Sequence, residues 1–172
     1  MRQLLLLLIL NIFSFSNAIV ISENFHANFT QVVTNPKNKI IKYSGKIYFL
    51  DSSKLKWKYE QPTKKEVCSS ENHVIVVDHD LEQVSKYNLV DRFNLIAILK
   101  SAKHHDKNLY LAKYLGKQYT IQVDKDNRLQ AVAYFDDLDN KVQILFTKIK
   151  YEKAPLKTVT CTYPKDYDLI EG

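Results

Sequence analysis

The sequence predicts a mainly β chain of the α+β class, built on one strongly curved, barrel-like antiparallel sheet with a helical interruption. Three observations carry this. Residues 25–29, 46–49 and 54–59 alternate apolar and polar side chains with period two, so Phe25, Phe29, Ile47, Phe49, Leu55, Trp57 and Tyr59 share one face and the lysines take the other. Such alternation marks antiparallel strands with one wet face and one apolar face. Strand-like runs then recur at short spacing down to residue 162, as in a curved or barrel-like sheet. Between residues 88 and 102 the pattern switches: Leu89, Phe93, Ile96, Ala97 and Leu99 fall at helical spacing with a broad apolar stripe.

The remaining elements follow in order. Met1-Arg2-Gln3 precedes an apolar run from Leu4, and Ser16-Asn17-Ala18 supplies small residues before a cut after Ala18. That pattern predicts a secretory signal peptide over 1–18, and the apolar run is shorter than the roughly 20 residues a membrane span needs. Residues 19–172 are enough for one domain with a sizeable core. Past the first three strands, Pro62 to Lys65 reads as a turn, and residues 66–69 and 74–77 as a hairpin around Ser70-Glu71-Asn72. Further strands are expected at 81–87, 109–115, 118–123, 129–135 and 142–151, with a last short one at 159–162 closed by Pro164. Glycine is scarce, three in all, so bends must come from bulges and from the Asp/Asn turns at 124–128 and 136–140.

The formal charge is +6, one less once Arg2 is removed. A basic exported chain suits anionic head groups or an acidic partner. No nucleic acid is expected, because Arg92 and Arg128 are the only arginines past residue 18 and guanidinium contacts to bases would be scarce. Cys68 and Cys161 are the two cysteines. An oxidising compartment permits a bridge, while two buried strand thiols satisfy the spacing equally. Lys46, Lys54, Lys56 and Lys58 read as a solvated outer face that guards the sheet, or as a docking surface.

The segment Phe25-His26-Ala27-Asn28-Phe29-Thr30-Gln31-Val32-Val33-Thr34 resembles the first strand of the LolA family, periplasmic carriers of outer-membrane lipoproteins. Gly45 to Phe49 resembles that family's second strand, and Leu55-Lys56-Trp57-Lys58-Tyr59-Glu60-Gln61-Pro62 its Trp-containing third strand and proline turn. Val77-Asp78-His79-Asp80-Leu81-Glu82-Gln83 resembles its aromatic-Asx-Pro-X-X-Glu-Gln segment, and Phe93 to Ala97 the start of the helix beyond. The order and spacing of these matches over residues 25–100 make the resemblance specific. It implies an incomplete antiparallel barrel covered by a helical lid, a LolA-like half-barrel with one carrier domain over 19–172. It also implies a periplasmic monomer that performs no bond chemistry and needs no cofactor. The implied partners are acylated lipoproteins as cargo, an inner-membrane ABC transporter that releases them to the carrier, and an outer-membrane receptor.

The resemblance turns the aromatic face into an expected acyl-chain cavity: Phe25, Phe29, Ile47, Phe49, Leu55, Trp57 and Tyr59 on strands, with Phe93, Ile96 and Leu99 on the lid. The chain departs from the family where about three turns of helix usually precede the first strand, where Val77 and His79 replace the aromatic and the proline, and where Asp51-Ser52 replaces a basic residue and proline that hold the lid. A contact between Asp51 and Arg92 would restore that latch with the charges exchanged. Two other classes compete. An enzyme would have to use His73, Asp78, His79 and Asp80 or His104-His105-Asp106, but these lack helical metal-ligand spacing and no nucleophile motif accompanies them. A periplasmic lipid- or lipoprotein-binding sensor or regulator could use the same half-barrel, usually with a second domain or an anchor. The lipid-bearing cysteine of an outer-membrane receptor is replaced by Ile19.

Overall fold

The computed structural model describes residues 18–20, 22, 24–51, 54–70, 73–88 and 94–171. The expected signal peptide lies outside them except for Ala18. Among the described residues, twelve strands and two short helices follow one another: β1 (Phe25–Thr34), β2 (Ile40–Leu50), β3 (Lys54–Gln61), β4 (Lys65–Ser69), β5 (His73–Asp78), β6 (Gln83–Asn88), α1 (Leu95–Ser101), β7 (Lys103–Asp106), β8 (Leu109–Tyr114), β9 (Lys117–Val123), β10 (Leu129–Phe135), β11 (Lys141–Lys150), α2 (Leu156–Val159) and β12 (Asp168–Glu171). Among the described residues no helix is long and apolar enough to cross a membrane.

All twelve strands form a single unclosed sheet in the order β12-β6-β5-β4-β3-β2-β1-β11-β10-β9-β8-β7. Each half is a meander, β1 to β6 and β7 to β11, and the long β1–β11 pairing joins them. Curvature comes from bulges in β3, β7, β10 and β11, since an extra residue bends its strand and increases the local twist. The expected economy of glycine holds. Asn38, Asp51, Asn127 and Asp139 take the left-handed backbone at turns, which short polar side chains tolerate. Asp136 shows how such a turn is held: its carboxylate accepts from the backbone N–H of Leu138 and Asn140, both at 2.9 Å.

The structure corrects several element expectations. The third-strand lysines do not all meet solvent: Lys56 is buried, its Nζ 2.8 Å from a Glu66 carboxylate oxygen and donating to the Thr160 carbonyl at 3.2 Å. The chain beyond residue 154 folds back over part of that outer face, while Lys46 and Lys58 stay exposed. There the segment expected as a strand at 159–162 is one helical turn, α2, followed by extended chain. Pro155 fixes the φ that starts the turn, and Val159 and Cys161 bury themselves against the sheet instead of pairing with a strand. Cys161 is bonded to Cys68 on β4, 93 residues earlier. Cys68, Val77, Val84 and Cys161 form a small core on this face, with Tyr163 and Tyr167 against it. The chain then adds β12 parallel to β6, the one parallel strand pair among the described residues. The sixth strand begins at Gln83, not residue 81, because Leu81 sits exposed in a turn with Glu82 left-handed. Of the helix expected over 88–102, the described residues show α1: Asn88 ends β6, residues 89–93 lie outside the described residues, and Asn94 caps α1 by accepting from the Ala97 N–H at 3.0 Å.

Candidate functional site

The sheet's concave face carries the main core. Strand parity sends Phe25, Ala27 and Phe29 of β1, Ile47 and Phe49 of β2, and Leu55 and Trp57 of β3 into it. Registers Phe25↔Phe49, Ile47↔Trp57 and Phe49↔Leu55 stack these side chains across neighbouring strands, where directly opposed pairs touch. The ring of Phe29 stands edge-on to Trp57 at 4.9 Å and to Tyr59 at 5.1 Å, and Trp57 lies 6.1 Å from Phe146. Edge-to-face aromatic pairs add to the area they bury.

Tyr59 differs from its neighbours. It is partly buried against the cluster, and its hydroxyl donates to the Gln31 Oε1 at 3.1 Å. Burial pushes its phenol far above the ordinary range, with Tyr134 and Tyr43 adding to the effect. Tyr134 is raised to about 12, again by burial first and by Tyr119 and Asp136 after it. Both phenols therefore stay neutral at any physiological pH and act as apolar bodies with one polar tip.

α1 closes the concave face. It packs beside β8, and Leu95, Ile96, Ile98 and Leu99 are all buried within the same core cluster as the strand aromatics. The structure thus brings Phe25, Phe29, Ile47, Phe49, Leu55, Trp57, Ile96 and Leu99 into one apolar body, with Tyr59 at its edge. Phe93 lies outside the described residues. Of the expected latch, Arg92 also lies outside them, and the Asp51 carboxylate stands 3.5 Å from the Lys153 Nζ. The other half of the body comes from β8 to β11: Tyr110, Tyr119, Ile121, Val123, Val132, Val142, Ile144 and Phe146. Sequence reading left these out of the lining, although Tyr119-Ile121-Val123 and Val142-Ile144-Phe146 carry the same period-two signal as β1 to β3.

The apolar cleft between α1 and the sheet, lined by Phe25, Ile96, Leu99, Leu129, Ile149, Val20, Ser22 and Tyr151, encloses about 10 Å³. That is room for about one water, against the roughly 300–1,000 Å³ of ordinary ligand pockets. The apolar side of α1 lies buried in the core that this face carries.

The histidine and acid groups are scattered. His79 Nδ1 meets the Tyr167 hydroxyl at 3.1 Å, Asp78 pairs with Lys65 at 2.9 Å, the Asp80 carboxylate accepts from the Lys64 backbone, and His104 contacts the Lys107 carbonyl. Among the described residues, the group close enough for metal ligation is Glu66, Cys68 and Cys161. Its two sulfurs are bonded to each other, so neither is a thiolate ligand.

A family model described as the outer membrane lipoprotein carrier protein LolA matches residues 21–117. The outer-membrane lipoprotein carrier protein of Campylobacter jejuni is 36% identical, with 86% of this chain and 86% of that protein covered. The proteins of the same name from Helicobacter hepaticus and Wolinella succinogenes are 32% and 31% identical, over 77% and 86% of this chain and 74% and 86% of theirs. Among solved structures, an uncharacterized conserved protein from Thermus thermophilus superposes with a TM-score of 0.58 at 11% identity, covering 88% of this chain and 92% of that one. A LolA superfamily protein from Nitrosomonas europaea gives 0.51 at 8% identity, covering 84% and 93%. At such identities the two structures speak for the fold alone.

Proposed function

The chain belongs to the LolA family of outer-membrane lipoprotein carriers, and from that premise we propose that it shelters the acyl chains of a lipoprotein between the concave face of its sheet and α1. A carrier of outer-membrane lipoproteins works in the periplasm. The proposal includes a leader over 1–18, one carrier domain over 19–172, loading by an inner-membrane ABC transporter and unloading at an outer-membrane receptor. It assigns acyl contact to Phe25, Phe29, Ile47, Phe49, Leu55, Trp57, Tyr59, Phe93, Ile96 and Leu99, and lid contact to Asp51 and Arg92.

The single observation that carries the reading is the concave aromatic face shut by one short amphipathic helix. A methylene leaving water gains about 0.8 kcal/mol, so a chain of about 16 carbons gains on the order of 12 kcal/mol if fully sheltered. Two such chains would pass the practical ceiling of about 18–21 kcal/mol, and a carrier holding cargo that tightly would not release it. A closed empty state supplies the offset. Lifting Leu95, Ile96, Ile98 and Leu99 off the sheet costs about 1.5–3 kcal/mol apiece, comparable to one sheltered chain. Loading thus exchanges helix side chains for acyl chains on the same apolar surface, which brings the net gain for two chains to about 12–18 kcal/mol, under the ceiling.

Trp57 is the only tryptophan and sits in this core, so its fluorescence reports the exchange. Titration with a synthetic acylated peptide should shift Trp57 emission and speed hydrogen exchange of the α1 amides, and protein purified from periplasm should retain lipoprotein in native mass spectra. Unchanged emission and unchanged exchange at saturating peptide, with no retained lipoprotein, would refute the proposal.

A further inference from the structure

One interruption of the half-barrel wall lies between β10 and β11. The β10–β11 ladder stops at Ala131↔Leu145, although β10 begins two residues earlier, at Leu129, and β11 runs on to Lys150. Two bulges hold the strands apart there. Gln130 is an extra residue on β10 against β9, and β11 carries an extra residue between Thr147 and Lys150 against β1, with Lys148 at φ 52°. A lysine in the left-handed region is a backbone cost that the surrounding pairing must hold in place.

The break opens into a recess of about 260 Å³. Its rim is polar, with Gln130, Thr147 and Lys148, and its floor is the inner apolar layer of Leu129, Phe146 and Ile149. Leu129 and Ile149 also line the cleft under Ile96 and Leu99 of α1. One thin apolar layer therefore separates an outward polar recess from the closed interior. Arg128, at one side, is already held by Asp124 at 3.2 Å and by Asp126, and it lies over the Tyr151 ring.

We propose that this break is the port through which the ester- and amide-bearing head of an acylated polypeptide leaves the interior. The inference rests on the carrier reading above. An acyl chain can lie wholly inside an apolar cavity, but the carbonyls and N–H groups that join it to a polypeptide cannot be buried there without partners. A fully paired strand wall offers them none. The break offers the Gln130 and Thr147 side chains, next to the margin of β10 where Val20 bridges Arg128. The tails lie behind Leu129, Phe146 and Ile149, and the peptide runs outward past Gln130 and Thr147. Movement of α1 widens the passage from within, because Ile96 and Leu99 share the cleft with Leu129 and Ile149.

The test places a photoreactive phenylalanine singly at Gln130, Thr147, Trp57 and, on the far half of the sheet, Lys86. The probe is a peptide with a diacylglyceryl cysteine at its N-terminus and biotin at its C-terminus, irradiated with each full-length protein. Labelling from Gln130 and Thr147 several-fold above that from Lys86, together with labelling from Trp57, is the expected result, and the same peptide without acyl groups should label none of the four. Labelling from Trp57 while Gln130 and Thr147 match Lys86 overturns the port and leaves the carrier reading standing. No labelling from Trp57 overturns the carrier reading, and the port with it. Equal labelling of Gln130 and Thr147 by the unacylated peptide overturns the coupling of recess to interior.

Discussion

Replacing Cys68 and Cys161 together by alanine should weaken the fold heavily and leave acyl-chain binding intact. The bond spans 93 residues. By the chain-entropy relation a loop of that length restricts the unfolded chain by about 16 cal/mol/K, or about 4.6 kcal/mol at 25 °C. For a domain of this size each kcal/mol moves the melting midpoint by about 2–4 °C, so a loss of about 9–18 °C is expected. Both sulfurs belong to the small core on the outer face, separate from the concave cluster around Trp57. Ligand affinity, measured below the lowered midpoint, should therefore match the parent. Urea titration followed by Trp57 emission, with and without dithiothreitol on the parent, gives the stability change, and acylated-peptide titration gives the affinity. A loss below about 1 kcal/mol would refute the loop-closure account. A folded double variant that no longer binds the peptide would refute the separation of the outer brace from the concave face.

Three other outcomes follow from particular contacts. Lys56→Ala strands the Glu66 carboxylate under the C-terminal segment and should cost about 3–5 kcal/mol in urea denaturation, whereas Lys56→Met with Glu66→Leu should be close to neutral or stabilising. A Cβ on Gly45 would stand 1.9 Å from the Lys58 carbonyl oxygen, so Gly45→Ala should force β2 and β3 apart and cost upwards of about 2 kcal/mol, with β2 and β3 amides exchanging faster than the rest of the sheet. Burial works against the Asp136 carboxylate, but hydrogen bonds from Asn140 and the turn amides still hold it below its ordinary 3.8. A depressed folded pKa means that its contribution is complete above the unfolded value and is lost as pH falls through the folded one. The melting midpoint of the parent should therefore drop below about pH 4, and Asp136→Asn, which removes the charge at every pH, should show a shallower acid slope.

The concave face was legible because its alternation is uninterrupted: Phe25 to Phe29, Ile47 to Phe49 and Leu55 to Tyr59 each state which side is apolar, and register does the rest. The same arithmetic reached Ile96 and Leu99 through helical spacing. What alternation cannot state is what covers the other side. Lys56 reads as solvated at strand parity, and only the chain a hundred residues later makes it buried. Val159 to Thr162 looks like a strand because β-branched residues alternate there, yet its burial comes from docking on Cys68 and its neighbours. Asp168 to Glu171 is too short and too acidic at its ends to show a period, and its parallel pairing with β6 depends wholly on where the preceding tail is pinned. The break between β10 and β11 is equally silent in sequence, since Gln130 and Lys148 look like ordinary outward positions until the pairing shows them to be supernumerary.

The Cys68–Cys161 bond closes a covalent ring, and the covering helix lies inside it. Everything from the end of β4 to α2 lies within that ring, α1 included, so the outward movement of α1 proposed above would leave the two ends of the excursion joined. A carrier that opened in this way would gape for its guest and still keep a fixed hem, with the disturbance confined to the concave face.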